Sequence, residues 1–92
     1  MTGTPVRHNA GASRFEAEVD GELSIAEYRL DGDVMSLTHT VVPEAQEGHG
    51  IASALAQAAF AHAQAEGLKV RPLCAFMAAY VQRHPELKAQ LA

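Results

Sequence analysis

The sequence predicts a mixed α/β fold of the α+β kind, with an antiparallel meander followed by helix, strand and helix. Three features predict it. Alternating apolar residues and two Asp-Gly pairs fill the first half. A proline-free, alanine-rich stretch runs from Ile51 to Glu66. A short apolar strand and a second helical stretch follow it.

Residues 1–13 carry Gly3, Pro5, Gly11 and Ala12 and no clear period. They read as a loose arm ahead of a domain over 14–92, with Val6-Arg7-His8 offering a short edge strand. From Arg14 the pattern changes. Phe15, Ala17 and Val19 alternate with Glu16 and Glu18, the period of a half-buried strand. Asp20-Gly21 is a two-residue hairpin signal. Leu23 and Ile25, continuing to Tyr28 and Leu30, form the second strand. Asp31-Gly32 turns the chain again, and Val34 to Val42 is the third strand, ended by Pro43.

Gly48 to Gly50 interrupts the chain ahead of the helix Ile51–Glu66. Ile51, Leu55, Ala59 and His62 fall on one face of it, with Ala58 beside them. Gly67 stands where a left-handed C-cap belongs. Leu68 to Cys74 reads as a strand and Ala75 to Arg83 as a helix, stopped by Pro85. Glu86 to Leu91 adds a last turn or two. Strand, glycine turn, helix and strand over 34–74 have the length of a right-handed crossover, which makes those two strands parallel if they pair directly.

Composition narrows the function. The chain has 92 residues, enough for one domain that buries roughly 65% of its unfolded surface. Its 18 alanines stand against 20 Val, Ile, Leu and Phe, so elements pack closely while each residue buries little area. One cysteine excludes a disulfide framework and a cysteine-rich zinc site. No apolar stretch approaches the roughly 20 residues of a membrane span, and Met1 to Asn9 lacks the apolar middle of a signal peptide. The net charge of −4 argues against a general nucleic-acid binder. A soluble, reduced, cytoplasmic protein is the expectation. Residues 1–46 carry three basic and eight acidic groups and residues 47–92 four and three, so an anionic ligand prefers the second half.

The informative segment runs from Val41 to Ala52: a strand, a glycine-bearing turn and the start of a long helix. The first amides of a helix lack intrahelical acceptors, and the helix dipole adds partial positive charge there. Glycines let a ligand approach the backbone. This is an anion site suited to a phosphate or pyrophosphate. It is neither a P-loop, which needs Lys and Ser/Thr, nor the dinucleotide fingerprint, which needs a third glycine and parallel strands. A tight turn into a buried helix is the competing reading.

Taken together, Val42-Pro43, Gly48-His49-Gly50-Ile51-Ala52, Gly67-Leu68-Lys69-Val70, Pro72-Leu73-Cys74 with Phe76, and Tyr80 with Arg83-His84-Pro85 resemble the small single-domain members of the GNAT superfamily, the acetyl-CoA-dependent N-acetyltransferases. The resemblance covers roughly residues 14–88. The superfamily phosphate loop, Arg/Gln-x-x-Gly-x-Gly/Ala, falls on residues 47–52. Gly50 and Ala52 match it, and Glu47 departs from it, since a cation or amide is expected there.

The resemblance implies a compact GNAT-like sheet splayed open near the loop, with acetyl-CoA as co-substrate lying in the splay and no metal. The amides of Gly48, His49, Gly50, Ile51 and Ala52 then hold the pyrophosphate, and the pantetheine arm runs along the backbone of Thr40, Val41 and Val42. It implies acetyl transfer to an amine: a small amine, a polyamine or a protein lysine. Nucleic acid and membrane partners are not expected, and the chain is expected to be a monomer or a weak homodimer. Helices that shape the acceptor site in larger relatives are missing, which leaves a shallow acceptor side or one completed by a partner.

Two side chains are the catalytic candidates. Cys74, the only thiol, lies at the end of the fourth strand just before a helix, a setting in which cysteines act as nucleophiles. The resemblance points to Cys74 as catalytic, and transfer through an acyl-Cys74 and direct attack by the amine both remain open. An apolar core role is its competing reading. His39, in the third strand before the loop, is a candidate base; a strand histidine satisfied by a neighbour is the alternative. His49 reads as an exposed loop side chain or as a phosphate partner, His62 as structural, and His84 as a helix cap or as lining the CoA exit. The five histidines lack metal-ligand spacing. Tyr80 fits a helix aromatic packed on the sheet better than a proton donor. Arg83 and Lys88 read as solvated surface groups, with contact to the CoA 3′-phosphate as the alternative. Glu16, Glu18, Glu22 and Glu27 form the polar face of the hairpins or attract a cationic amine. A CoA-binding or protein-interaction module with little or no catalysis is the rival function.

Overall fold

The computed structural model describes residues 4–92. Five strands form one sheet in sequence order: β1 (Arg7–Asn9), β2 (Arg14–Val19), β3 (Glu22–Asp31), β4 (Val34–Val41) and β5 (Lys69–Pro72). The first four pair antiparallel. β4 and β5 pair parallel, joined by the crossover helix α1 (Ile51–Ala65). Helix α2 (Ala75–Arg83) and a 3-10 turn (Pro85–Gln90) close the chain. Mixed α/β topology with a parallel crossover is thus what the sequence predicts.

Local chemistry sets the boundaries. Asp20 and Gly21 both have positive φ, 53° and 77°, the twist that a tight β2–β3 hairpin requires. Gly67, at φ 70°, ends α1 as a left-handed cap, with the Leu68 amide donating to the Ala63 carbonyl at 2.8 Å.

One hydrophobic core joins sheet and helices. Phe15 and Ala17, Ala26 and Tyr28, and Met35 and Leu37 are buried on the sheet's inner face against Leu55, Ala56, Ala59, Phe60 and Ala63 of α1. The buried stripe of α1 therefore runs through Ala56, Phe60 and Ala63, and His62 is half-buried at its margin. Small side chains at 56, 59 and 63 let the helix sit close to the strands. α2 packs beside α1, with Tyr80 stacked on Phe60 at 6.1 Å between ring centroids. Tyr80 thus packs on a helix aromatic, and its burial pushes the phenol pKa up. The outer face of the sheet carries exposed Leu23, His39 and Val41.

Residues 1–3 of the expected arm lie outside the described residues, and from Arg7 on the arm is structured. Glu16 explains why. Its carboxylate takes an ion pair from Arg7, a 2.6 Å bond from Arg14 Nε and a 2.9 Å bond from Asn9 Nδ2. These donors hold the Glu16 carboxyl at about 2, Arg7 contributing most and Asn9 and Arg14 less. Glu16 is 3% exposed because its own partners lie over it at the molecular surface. On the other side of β1, His8 stacks on Phe15 at 4.5 Å, meets His62 edge-on at 4.3 Å and shares a 2.6 Å hydrogen bond with the Tyr28 hydroxyl.

Candidate functional site

The site begins with a defect in β4. Glu27 opposes His39, but Tyr28 opposes Leu37, so Thr38 is an extra residue, and its hydroxyl donates to the Glu27 carbonyl at 3.3 Å. Such a bulge bends its strand. On the other side of β4 the parallel ladder stops at the same place. Its last pair is Leu37 with Pro72, and proline has no N–H to extend a ladder. The Leu37 carbonyl accepts from both Leu73 N and Cys74 N, at 3.0 and 3.1 Å. Beyond that point β4 and β5 part, and Thr38 to Val41 have no β5 partner among the described residues. A splayed sheet follows from these bonds.

Cys74 sits at the root of the splay as the N-cap of α2. It is half-buried, and its sulfur shares a 3.3 Å hydrogen bond with the Thr40 hydroxyl. The two catalytic candidates are not together. His39 and Thr40 are neighbours on a strand and point to opposite faces. Thr40 turns to Cys74, whereas His39, 71% exposed, lies on the outer face with Nδ1 3.5 Å from Glu27 Oε1.

The turn after β4 completes the opening. A 3-10 turn over Glu44–Gln46 buries Gln46, and the chain then runs through Gly48 and Gly50, both with positive φ, 83° and 76°. Gly50 caps α1 with no side-chain hydrogen bond. The Ala54 amide donates to the Gly50 carbonyl at 3.0 Å, so the amides of Ile51, Ala52 and Ser53 precede the first helical bond. A Cβ built at Gly48 or Gly50 meets nothing within 4 Å, so the turn is open on that side.

Three cavities adjoin it. One of about 360 Å³ runs along Thr40, Val41 and Val42 to Glu47, Ala52 and Phe76. A second, of about 200 Å³, shares Val42, Glu47, Ala52 and Phe76 and reaches Gly48, Gly50 and Ile51. A groove of about 650 Å³ continues from His49, Gly50 and Ser53 between α1 and the C-terminal segment, past Tyr80 and His84. His84 stacks on Tyr80 at 4.2 Å, and its Nδ1 lies 2.9 Å from the Tyr80 carbonyl. The expected donor-binding positions thus line three neighbouring cavities that share residues, and Cys74 is hydrogen-bonded to Thr40 at the wall of one of them. His62 belongs instead to the ring cluster under β1.

Sequence reasoning missed the Thr40 hydroxyl as a partner of Cys74, and Phe76 as the wall shared by two cavities. Phe76 had a signal: an aromatic two residues after Cys74 in the first turn of a helix. Among the described residues no group of three or more His, Cys, Asp or Glu is arranged to hold a metal, and no helix is long and apolar enough to cross a membrane.

Known proteins resemble this chain in sequence and in fold. A family model described as GCN5-related N-acetyl-transferase matches residues 14–91. Protein NATD1 of Mus musculus is 33% identical over 88 residues, covering 90% of this chain and 80% of its own length. Protein NATD1 of Homo sapiens is also 33% identical over 88 residues, at 90% and 78% coverage. The NMR solution structure of a GCN5-like protein from Staphylococcus aureus superposes with a TM-score of 0.76 at 21% identity, over 100% of this chain and 91% of that one. At that identity the likeness bears on the fold.

Proposed function

Because the chain belongs to the GCN5-related N-acetyltransferase family, we propose that it transfers an acetyl group from acetyl-CoA to an amine. The observation that carries this reading is the parting of β4 and β5 after Leu37, beside an uncapped glycine turn and with a thiol at its root.

In this reading the amides of Gly48, His49, Gly50, Ile51 and Ala52 bind the diphosphate. The free edge of Thr40, Val41 and Val42 lines the pantetheine arm against Phe76. Backbone amides of β4 polarise the thioester carbonyl. The amine approaches from the outer face, where His39 stands with Glu27 and takes its proton. The nitrogen lone pair forms the new C–N bond, the C–S bond breaks, and the departing thiolate regains a proton. Cys74 serves on the inner side, either taking the acetyl group itself or acting on the leaving sulfur. The free thiol of Cys74 fits a reducing, cytoplasmic setting. We read the acceptor as a small amine, a polyamine or a protein lysine, and the chain as a monomer or weak homodimer.

A CoA-binding module with little catalysis is the second reading. It is favoured by Glu47, an acid lining two of the cavities, and by the exposure of Leu23, His39 and Val41 on the outer face. Radiolabelled acetyl-CoA with a panel of small amines, spermidine and lysine peptides separates the two. The proposal expects protein-dependent acetylation of at least one amine. Donor binding with no modified acceptor supports the module instead.

A further inference from the structure

Glu47 lines both the 360 Å³ and the 200 Å³ cavities, together with Val42 of the strand end and Ala52 of the helix start. It is exposed and has no ion-pair partner among the described residues. No Lys or Arg is among the described residues lining these two cavities or the adjoining 650 Å³ groove. The ionisable side chains along the path, besides Tyr80, are Glu47, His49, His84 and Glu86. The fixed charges are thus both negative, in a protein already at −4. Among the groups that line these cavities, peptide dipoles and any proton on the two histidines are what favour a polyanion.

We propose that Glu47 sets the donor selectivity of the cleft, its carboxylate opposing the polyphosphate end of a CoA thioester. This rests on the acetyl-CoA reading above and deepens it. Binding is then carried by the pantetheine arm and the helix amides against a standing negative charge. A like charge a few ångströms from a phosphate is screened where solvent reaches it, yet still matters at low salt. Such a site differs from a cationic one in its salt dependence. A site clamped by cations loses anion affinity as salt rises. A site guarded by an acid holds its affinity or gains it.

Titration of the full chain tests this, with CoA and with uncharged S-acetylpantetheine followed by amide chemical shifts, at 20 mM and 200 mM salt (roughly the range over which the Debye length falls to under 10 Å). Wild type, Glu47→Gln and Glu47→Arg are compared. Glu47 is exposed, so both substitutions leave the fold in place. Glu47→Gln is expected to bind CoA about tenfold tighter at low salt, with S-acetylpantetheine unchanged. CoA affinity of the wild type stays level or rises with salt, and that of Glu47→Arg falls. Glu47→Gln binding CoA no tighter than wild type, or gaining equally for the uncharged donor, overturns the role of Glu47. Failure of all three proteins to bind CoA overturns the acetyl-CoA reading itself.

Discussion

The Thr40 hydroxyl and the Cys74 sulfur share a 3.3 Å hydrogen bond across the gap where β4 and β5 part. The bond ties the one thiol of the chain to the strand whose free edge faces the ligand path. It also divides the chemistry by face, because His39, next in sequence to Thr40, is turned to the outer side with Glu27.

That division predicts separable defects. Cys74→Ala is expected to retain CoA binding within about twofold while acetyl transfer falls at least tenfold, about 1.4 kcal/mol of barrier. Thr40→Val is expected to lower transfer less, with Thr40→Ser restoring it. His39→Gln is expected to lower the rate most around neutral pH, where a neutral imidazole can accept a proton and few amines are already deprotonated. Steady-state rates against pH check all three. Wild-type turnover by Cys74→Ala removes the thiol from the mechanism.

Gly50 supports a second prediction. Its φ of 76° is strained for any L side chain, yet a Cβ there meets nothing within 4 Å. Gly50→Ala therefore carries the backbone penalty alone, about 1 kcal/mol, which lowers Tm by roughly 4–8 °C for a domain of this size. The added methyl also stands at the open turn, so CoA binding weakens. Thermal melts and a CoA titration check both effects, and an unchanged pair contradicts the assigned role of the turn.

Acid acts on β1 from two sides with different midpoints. Burial, and then the neighbouring His62, push the His8 pKa down, with Glu66 opposing; Tyr28 and Phe15 are its other neighbours. The fold thus favours neutral His8. Its contribution is present above the ordinary value of about 6.5 and is lost as pH falls through the lowered folded value. Glu16 is held at about 2, so its contribution is present above the ordinary carboxylate range and is lost as pH falls toward 2. Urea unfolding against pH is expected to show a loss below neutrality that His8→Gln abolishes and a separate acid loss that Glu16→Gln abolishes. Ring-carbon NMR of His8 reads the first midpoint directly, and a midpoint above 6.5 contradicts the assignment.

Much of the fold was legible because its signals are local. Asp20-Gly21 and Gly67 occupy positive-φ positions that few other residues tolerate, and they punctuate the chain where the elements end. The buried stripe of α1 was harder to place. Eight of its fifteen residues are alanine, which suits a buried or an exposed face equally, so Ala56 and Ala63 carry no directional signal. The bulge at Thr38 was hidden for a related reason. Thr38-His39-Thr40 reads as an ordinary polar strand end, and only the pairing to Glu27 and Tyr28 exposes the extra residue. Gly3, Pro5, Gly11 and Ala12 give the arm no period, and the bonds from Arg7 and Asn9 to Glu16 that order it are contacts between residues seven or more positions apart. For the site, the glycine turn and Cys74 stood out as types in sequence. Their connection through Thr40 is a contact between residues 34 positions apart, which no local pattern encodes.

Titration of the isotopically labelled chain with acetyl-CoA, read residue by residue from backbone amide shifts, is the decisive test of donor binding in the gap between β4 and β5. Saturable shifts are expected at Thr40, Val41 and Val42 and at Gly48 through Ala52, with little change at Glu18, Leu23 and Arg29 on the outer face. Shifts confined to that outer face, or none at saturating donor, would contradict binding in that gap.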